Sequence, residues 1–180
     1  EPYRRQRQMC IRDRFTGQFY VDPDEEILEE LRQKQREQSE QEKELQKLKE
    51  QESITGDGRK ISLYANIGKE NDVLQALMNG AEGIGLFRTE FLYLEKMNYP
   101  TEQEQFQVYR YVAEMMAGRK VVIRTLDIGA DKQAGYFGLE KEENPALGYR
   151  AIRICLERRD MFKTQLRAIL RAAAYGCLLY

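Results

Sequence analysis

Val121-Val122-Ile123-Arg124-Thr125-Leu126-Asp127-Ile128-Gly129 opens on β-branched residues without polar alternation and closes on a glycine. Such a run reads as a strand buried on both faces, which is the habit of parallel sheets; the strand is predicted over 121–126. Just before it, Gly118 closes a helix that Pro100-Thr101-Glu102 opens and that runs through Gln105, Phe106, Tyr109, Val112 and Met116. Earlier still, Gly83-Ile84-Gly85-Leu86-Phe87-Arg88 reads as a strand, Asn71 to Met78 as a helix closed by Asn79-Gly80, and Ile61 to Asn66 as a strand. Downstream, Asn144-Pro145 starts a helix through Leu147, Ile152 and Leu156, and Asp160 caps another through Phe162, Leu166, Ile169 and Leu170. Strands alternating with helices at this spacing predict βα units on a parallel sheet, hence an α/β fold.

Upstream the composition changes. Val21 to Glu52 holds twelve acids, six bases and six glutamines, and no glycine. Asp22-Pro23-Asp24-Glu25-Glu26 combines a cap, a first-turn proline and acids at the positive end of a helix dipole. A long polar linker helix is predicted over 23–55, ~45 Å long. Ile27, Leu28 and Leu31 give it one apolar end and Leu45 and Leu48 the other, too little for a sustained coiled coil. Thr55-Gly56-Asp57-Gly58 stops it.

The two ends have another character. Residues 1–14 hold five arginines without periodicity, and Arg5 to Arg14 resembles translated sequencing-adapter DNA, as does Cys177 to Tyr180. The expectation is an internal gene piece with a non-native or disordered tail at 1–14 and a foreign end at 177–180.

Composition excludes several chemistries. The 180 residues carry 29 basic and 30 acidic side chains for a net charge of −1, which disfavours a nucleic-acid-coating role. No apolar run has the ~18 residues of a membrane span. There is no histidine, so the chain itself offers no imidazole base, metal ligand or phosphohistidine. Cys10, Cys155 and Cys177 lie far apart, without the spacing of a zinc site or disulfide framework, which suits a reducing cytoplasm. No P-loop or dinucleotide fingerprint occurs.

In parallel βα folds, function collects at the C-terminal ends of strands. Two predicted strands end there in arginine, Arg88 and Arg124. A guanidinium matches phosphate and carboxylate bidentately and keeps its charge at neutral pH. Two on successive strands would converge on one small dianion; alternatively, each pairs with a nearby acid, for which Glu90 and Asp127 are available. Gly129 can admit close backbone approach, and Lys132 can reach a phosphate as a point charge. Arg150 and Arg153 share a helix face, within a stretch where a solvated basic surface is the plain alternative.

Taken together, Gly83 to Leu92, Pro100 to Phe106, Val122 to Gly129, Asn144 to Arg153 and Gln165 to Ala172 resemble enzyme I of the bacterial phosphoenolpyruvate:sugar phosphotransferase system, in order and at family-like spacing from about Gly58 to Gly176. The resemblance implies a partial TIM barrel over 58–176, comprising roughly the first three of eight βα units. It implies a phosphoenolpyruvate-binding domain in which Arg88 and Arg124 hold the phosphate and Arg150 lines the same pocket. Residues 15–22 resemble the end of a preceding phosphohistidine domain. Family membership further implies Mg2+, whose ligands lie outside this sequence, and transfer of the phosphoryl group to a histidine, absent here, and on to the carrier HPr for sugar uptake. A cytoplasmic homodimer is implied too. No catalytic residue is assigned within the chain, and binding by it alone is expected to be weak. Cys155 is assigned to core packing, and Ala130 stands where the family usually has a second glycine. Phosphoenolpyruvate synthase and pyruvate phosphate dikinase are similar around Arg88 to Glu90 but use ATP; a non-catalytic helical interaction protein is the third reading.

Overall fold

A computed structural model describes residues 10–13, 16–132 and 135–180. Most of the 1–14 tail, and residue 15, thus lie outside the described residues. The chain forms two compact units, 1–51 and 52–180.

In the first unit, β1 (Cys10–Arg12) pairs antiparallel with β2 (Phe19–Val21), Ile11 opposite Tyr20. Residues 10–12 of the expected tail therefore form a strand. Gly17, at φ +72°, makes the turn, its N–H donating to Asp13 O at 3.0 Å. Helix α1 (Glu25–Lys47) follows, with Asp24 Oδ1 accepting from Ile27 N–H at 2.9 Å as its cap. None of its residues is buried. Pairs such as Lys34–Glu30 at 2.6 Å lace its surface, exposed and screened by solvent. The helix ends sooner than the expected residue 55, in a single 3-10 turn over Leu48–Glu50. Beyond it, Thr55 N–H donates to Arg59 O at 2.8 Å and Ile61 N–H to Ser53 O at 2.8 Å, a tight turn that β-branched residues and Gly58 (φ +84°) favour over helix.

The second unit carries a sheet of four parallel strands in sequential order: β3 (Tyr64–Ile67), β4 (Gly83–Arg88), β5 (Val121–Arg124) and β6 (Leu178–Leu179). Helices α2 (Asp72–Met78), α4 (Glu102–Met115) and α6 (Arg159–Ala172) cover one face; short α3 (Glu90–Leu94) and α5 (Ile152–Glu157) lie in the connections. Ile67, Ile84, Phe87, Val121 and Ile123 meet Val73, Tyr109, Val112, Met116 and Ile169 in the main core. Helix α4 is held at its start by a reciprocal cap in which Thr101 and Glu104 each satisfy the other's backbone N–H.

Further features depart from the sequence reading. The strand expected over Ile61 to Asn66 runs over Tyr64–Ile67, because Ile61 N–H is taken by Ser53 O at 2.8 Å. Strand β5 stops at Arg124 and not at 126, because Leu126 N–H donates to the Gln165 side chain at 2.9 Å instead of joining a ladder. The helix expected from Asn144 begins only at Ile152. Its first part is pinned as turns by the Glu142 carboxylate on Tyr149 N–H at 2.9 Å and by Ala151 N–H on Ile128 O at 3.0 Å, with Ala151 at φ +49°. Asp160 does not cap α6; the break falls at Arg158, leaving Asp160 in the first turn. Finally, Leu178–Leu179, within the expected foreign end, pairs with β5 as a fourth parallel strand, Val121 opposite Leu178.

Candidate anion site at the strand ends

Arg88 and Arg124 are the last residues of β4 and β5 and are register partners across the parallel pair. Their neighbours Phe87 and Ile123 are also partners and are buried in the core. Alternation along a strand therefore turns both arginines to the opposite face, away from the helices. The main chain brings them side by side at the C-terminal rim.

Their guanidinium groups are anchored differently. Arg124 pairs with the Glu90 carboxylate and, through Nη1, with Asp127 Oδ2 at 3.2 Å. The exposed Arg88 makes no ion pair among the described residues; its guanidinium lies over the Phe91 ring, 5.2 Å from the centroid. Across the loop after β3, Asp72 accepts from Gly68 N–H and Lys69 N–H, each at 2.9 Å. Those two bonds, helped by the charges of Lys69 and Arg88, hold its carboxyl below the ordinary value.

Arg150 joins from the loop before α5. Its Nη2 donates to Asp127 Oδ1 at 2.9 Å and its Nη1 lies 3.5 Å from Asp131 Oδ1. Lys132 Nζ donates to Glu90 Oε1 at 3.0 Å and to Asp127 O at 2.7 Å. Arg124, Arg150 and Lys132 thus interleave with Glu90, Asp127 and Asp131, while Arg88 stands beside the cluster. Burial alone would push the Asp127 carboxyl up, but the Arg150 hydrogen bond and the charges of Lys132 and Arg124 outweigh it and hold the carboxyl down. The same hydrogen bond raises Arg150. Gly129 serves the cluster by its lack of a side chain: a Cβ there would stand 2.9 Å from Arg150 Cβ and 3.0 Å from Asp131 Oδ1. Two buried polar atoms, Glu90 Oε2 and Arg124 Nε, have no hydrogen-bond partner among the described residues.

Both alternatives for the strand-end arginines are thus represented: Arg124 pairs with nearby acids, and Arg88 presents its charge outward. The carboxylates do not fit a divalent cation. Glu90, Asp127 and Asp131 are all engaged by cations, and no group of three acidic, thiol or imidazole ligands gathers among the described residues. Cys155 is buried beside Tyr93, Leu126, Ile128 and Phe137, and burial pushes its thiol up to about 11, which keeps it a neutral packing group.

Sequence reasoning found the cations and missed what supports them. Thr89 Oγ1 donates to Arg124 O at 2.8 Å and accepts from Gln165 Nε2 at 3.0 Å. Beneath it, the Tyr109 and Tyr93 hydroxyls both donate to Gln105 Oε1, at 3.0 and 3.2 Å. Two glutamines on otherwise apolar helix faces, in α4 and α6, were the available signal. Burial of Tyr93 and Tyr109 themselves raises their phenols, more than the glutamine hydrogen bonds lower them, so both remain protonated donors.

The family described as "PEP-utilising enzyme, PEP-binding domain" matches residues 42–179. The phosphoenolpyruvate-protein phosphotransferase of Staphylococcus carnosus (strain TM300) is 50% identical over 166 residues, covering 92% of this chain and 29% of that protein. The protein of that name from Geobacillus stearothermophilus is 53% identical over 170 residues, covering 94% and 29%. The one from Staphylococcus aureus is 49% identical over 174 residues, covering 97% and 30%. The chain spans about 30% of the length of these relatives. With the match extending over most of its residues, and with parallel βα units presenting arginines at one rim, the chain belongs to the family of PEP-utilising enzymes, in their PEP-binding domain.

Proposed function

We propose that this chain binds phosphoenolpyruvate at the rim where β4 and β5 end, as part of a phosphoenolpyruvate-protein phosphotransferase. The observation that carries the reading is the register pairing of Arg88 with Arg124 at the C-terminal ends of adjacent parallel strands. Arg88, the cation without a carboxylate among the described residues, meets the phosphate first. Arg124 contributes an Nε–H without a partner among the described residues and a charge shared with Glu90 and Asp127. Arg150 lines the same pocket through Asp127. Phosphoryl transfer depends chiefly on positioning and on neutralising charge on the moving group, so cations fixed at strand ends are the fitting parts.

Within the longer protein, the phosphoryl group passes to a histidine that this chain lacks and then to HPr, in a cytoplasmic homodimer that uses Mg2+. The similarity to the named phosphotransferases supports this part of the reading. The described helices include none long and apolar enough to cross a membrane. The test is a 1H–15N NMR titration of the 180-residue chain with phosphoenolpyruvate and, separately, with pyruvate. Millimolar phosphoenolpyruvate shifts the Arg88 and Arg124 resonances and pyruvate leaves them in place. Equal responses to both ligands, or none to either, overturn the reading.

A further inference from the structure

We propose that Gln165, on α6, is a positioning residue that fixes the two strand-end arginines relative to each other. Gln165 is fully buried and spends every polar atom on the rim's backbone and its supports. Oε1 accepts from Leu126 N–H at 2.9 Å, two residues beyond Arg124. Nε2 donates to Thr89 Oγ1 at 3.0 Å, one residue beyond Arg88, and to Tyr109 OH at 3.3 Å. Thr89 Oγ1 in turn donates to Arg124 O at 2.8 Å. A single amide from the helix layer therefore ties together the chain just after each arginine.

The direction of every bond is determined. Leu126 N–H can only donate, so Oε1 faces it and Nε2 faces the two hydroxyls. Thr89 uses its proton on Arg124 O, and Tyr109 uses its own on Gln105 Oε1, so each accepts from Gln165. Gln105 closes the chain by donating to Pro100 O at 3.1 Å. A buried network satisfied throughout rigidifies its surroundings, and one with a missing member leaves several groups unpaired. Neither Gln165 nor Thr89 points its polar atoms at the rim's open side, so both act through Arg88 and Arg124.

The ligand readout of the test rests on the phosphoenolpyruvate reading above; a second readout does not. In the 180-residue chain, Gln165→Met keeps the length of the side chain and removes its hydrogen bonds. Thr89→Val removes the hydroxyl at nearly constant volume, and Thr89→Ser restores it. NMR of the arginine Nε–Hε groups, without ligand, reports where Arg88 and Arg124 sit, and titration reports phosphoenolpyruvate affinity. The expected result is displaced Arg88 and Arg124 signals and about tenfold weaker binding in Q165M and T89V, with T89S returned to wild-type values. Wild-type arginine signals in folded T89V overturn the proposal, whether or not Q165M folds. If the wild-type chain binds no phosphoenolpyruvate while T89V still displaces the arginine signals, the functional reading fails and the positioning role stands.

Discussion

Arg124 and Arg150 hold the two oxygens of one carboxylate: Arg124 Nη1 lies 3.2 Å from Asp127 Oδ2, and Arg150 Nη2 lies 2.9 Å from Asp127 Oδ1. The acid is a brace between a strand end and the loop before α5. Replacing Asp127 by Asn keeps the shape and removes the charge that both cations face. Urea unfolding is expected to show a loss of about 1–3 kcal/mol, the usual cost of depriving partly buried charged groups of a partner.

The same residue sets an acid limit. Its carboxyl is held below the ordinary value of 3.8 in the folded chain. A depressed folded value means that Asp127 contributes its full stabilisation above the unfolded value and loses it as pH falls through the folded one. Melting temperature measured against pH should therefore show no contribution from Asp127 to any slope between pH 7 and 5. Below about pH 4 the wild type should fall more steeply than D127N, so that the two curves converge.

Strand β4 is committed to the core through Phe87, which is fully buried and meets Tyr109 edge-on at 6.1 Å between centroids. Phe87→Ala should cost about 3–5 kcal/mol, through lost transfer energy and the cavity left behind. Against a total of ~5–15 kcal/mol for a domain, that is enough to lower the urea midpoint drastically. Leu74→Ala, at a position 46% exposed in α2, should change stability by no more than about 0.5 kcal/mol.

Close packing of strand against strand explains a glycine at the start of β4. A Cβ on Gly83 would stand 2.6 Å from Lys120 O and 2.8 Å from the Tyr64 ring. The first of these is backbone and cannot swing aside. Gly83→Ala should destabilise by about 1–3 kcal/mol, the usual range for overpacking, in thermal or urea unfolding.

The central strands and their helices were readable because their patterns are local and redundant. Gly83–Arg88 emerges with its expected bounds, and the amphipathic spacing of Phe106, Tyr109 and Val112 specifies α4. What escaped depends on contacts distant in sequence. Strand β6 is two residues long and exists by pairing with Val121 and Val122, which no local pattern announces. The end of β5 is set by a side chain 39 positions away, Gln165, which captures Leu126 N–H. The delayed start of α5 follows from Glu142 bonding Tyr149 N–H across a loop. At the site, terminal arginines on parallel strands can be read from sequence. Which carboxylate each faces cannot, because Glu90 and Asp127 both lie within reach and only packing decides that Arg124 takes both while Arg88 rests on Phe91.

The most direct test of the account is the phosphoenolpyruvate affinity of the 180-residue chain beside its Arg88→Ala and Arg124→Ala variants, read from amide shifts in parallel NMR titrations. With two guanidinium groups serving one dianion, each variant should stay folded and bind at least about tenfold more weakly, since a charge-assisted hydrogen bond contributes ~1.5–3 kcal/mol. Wild-type affinity in both folded variants would contradict the account.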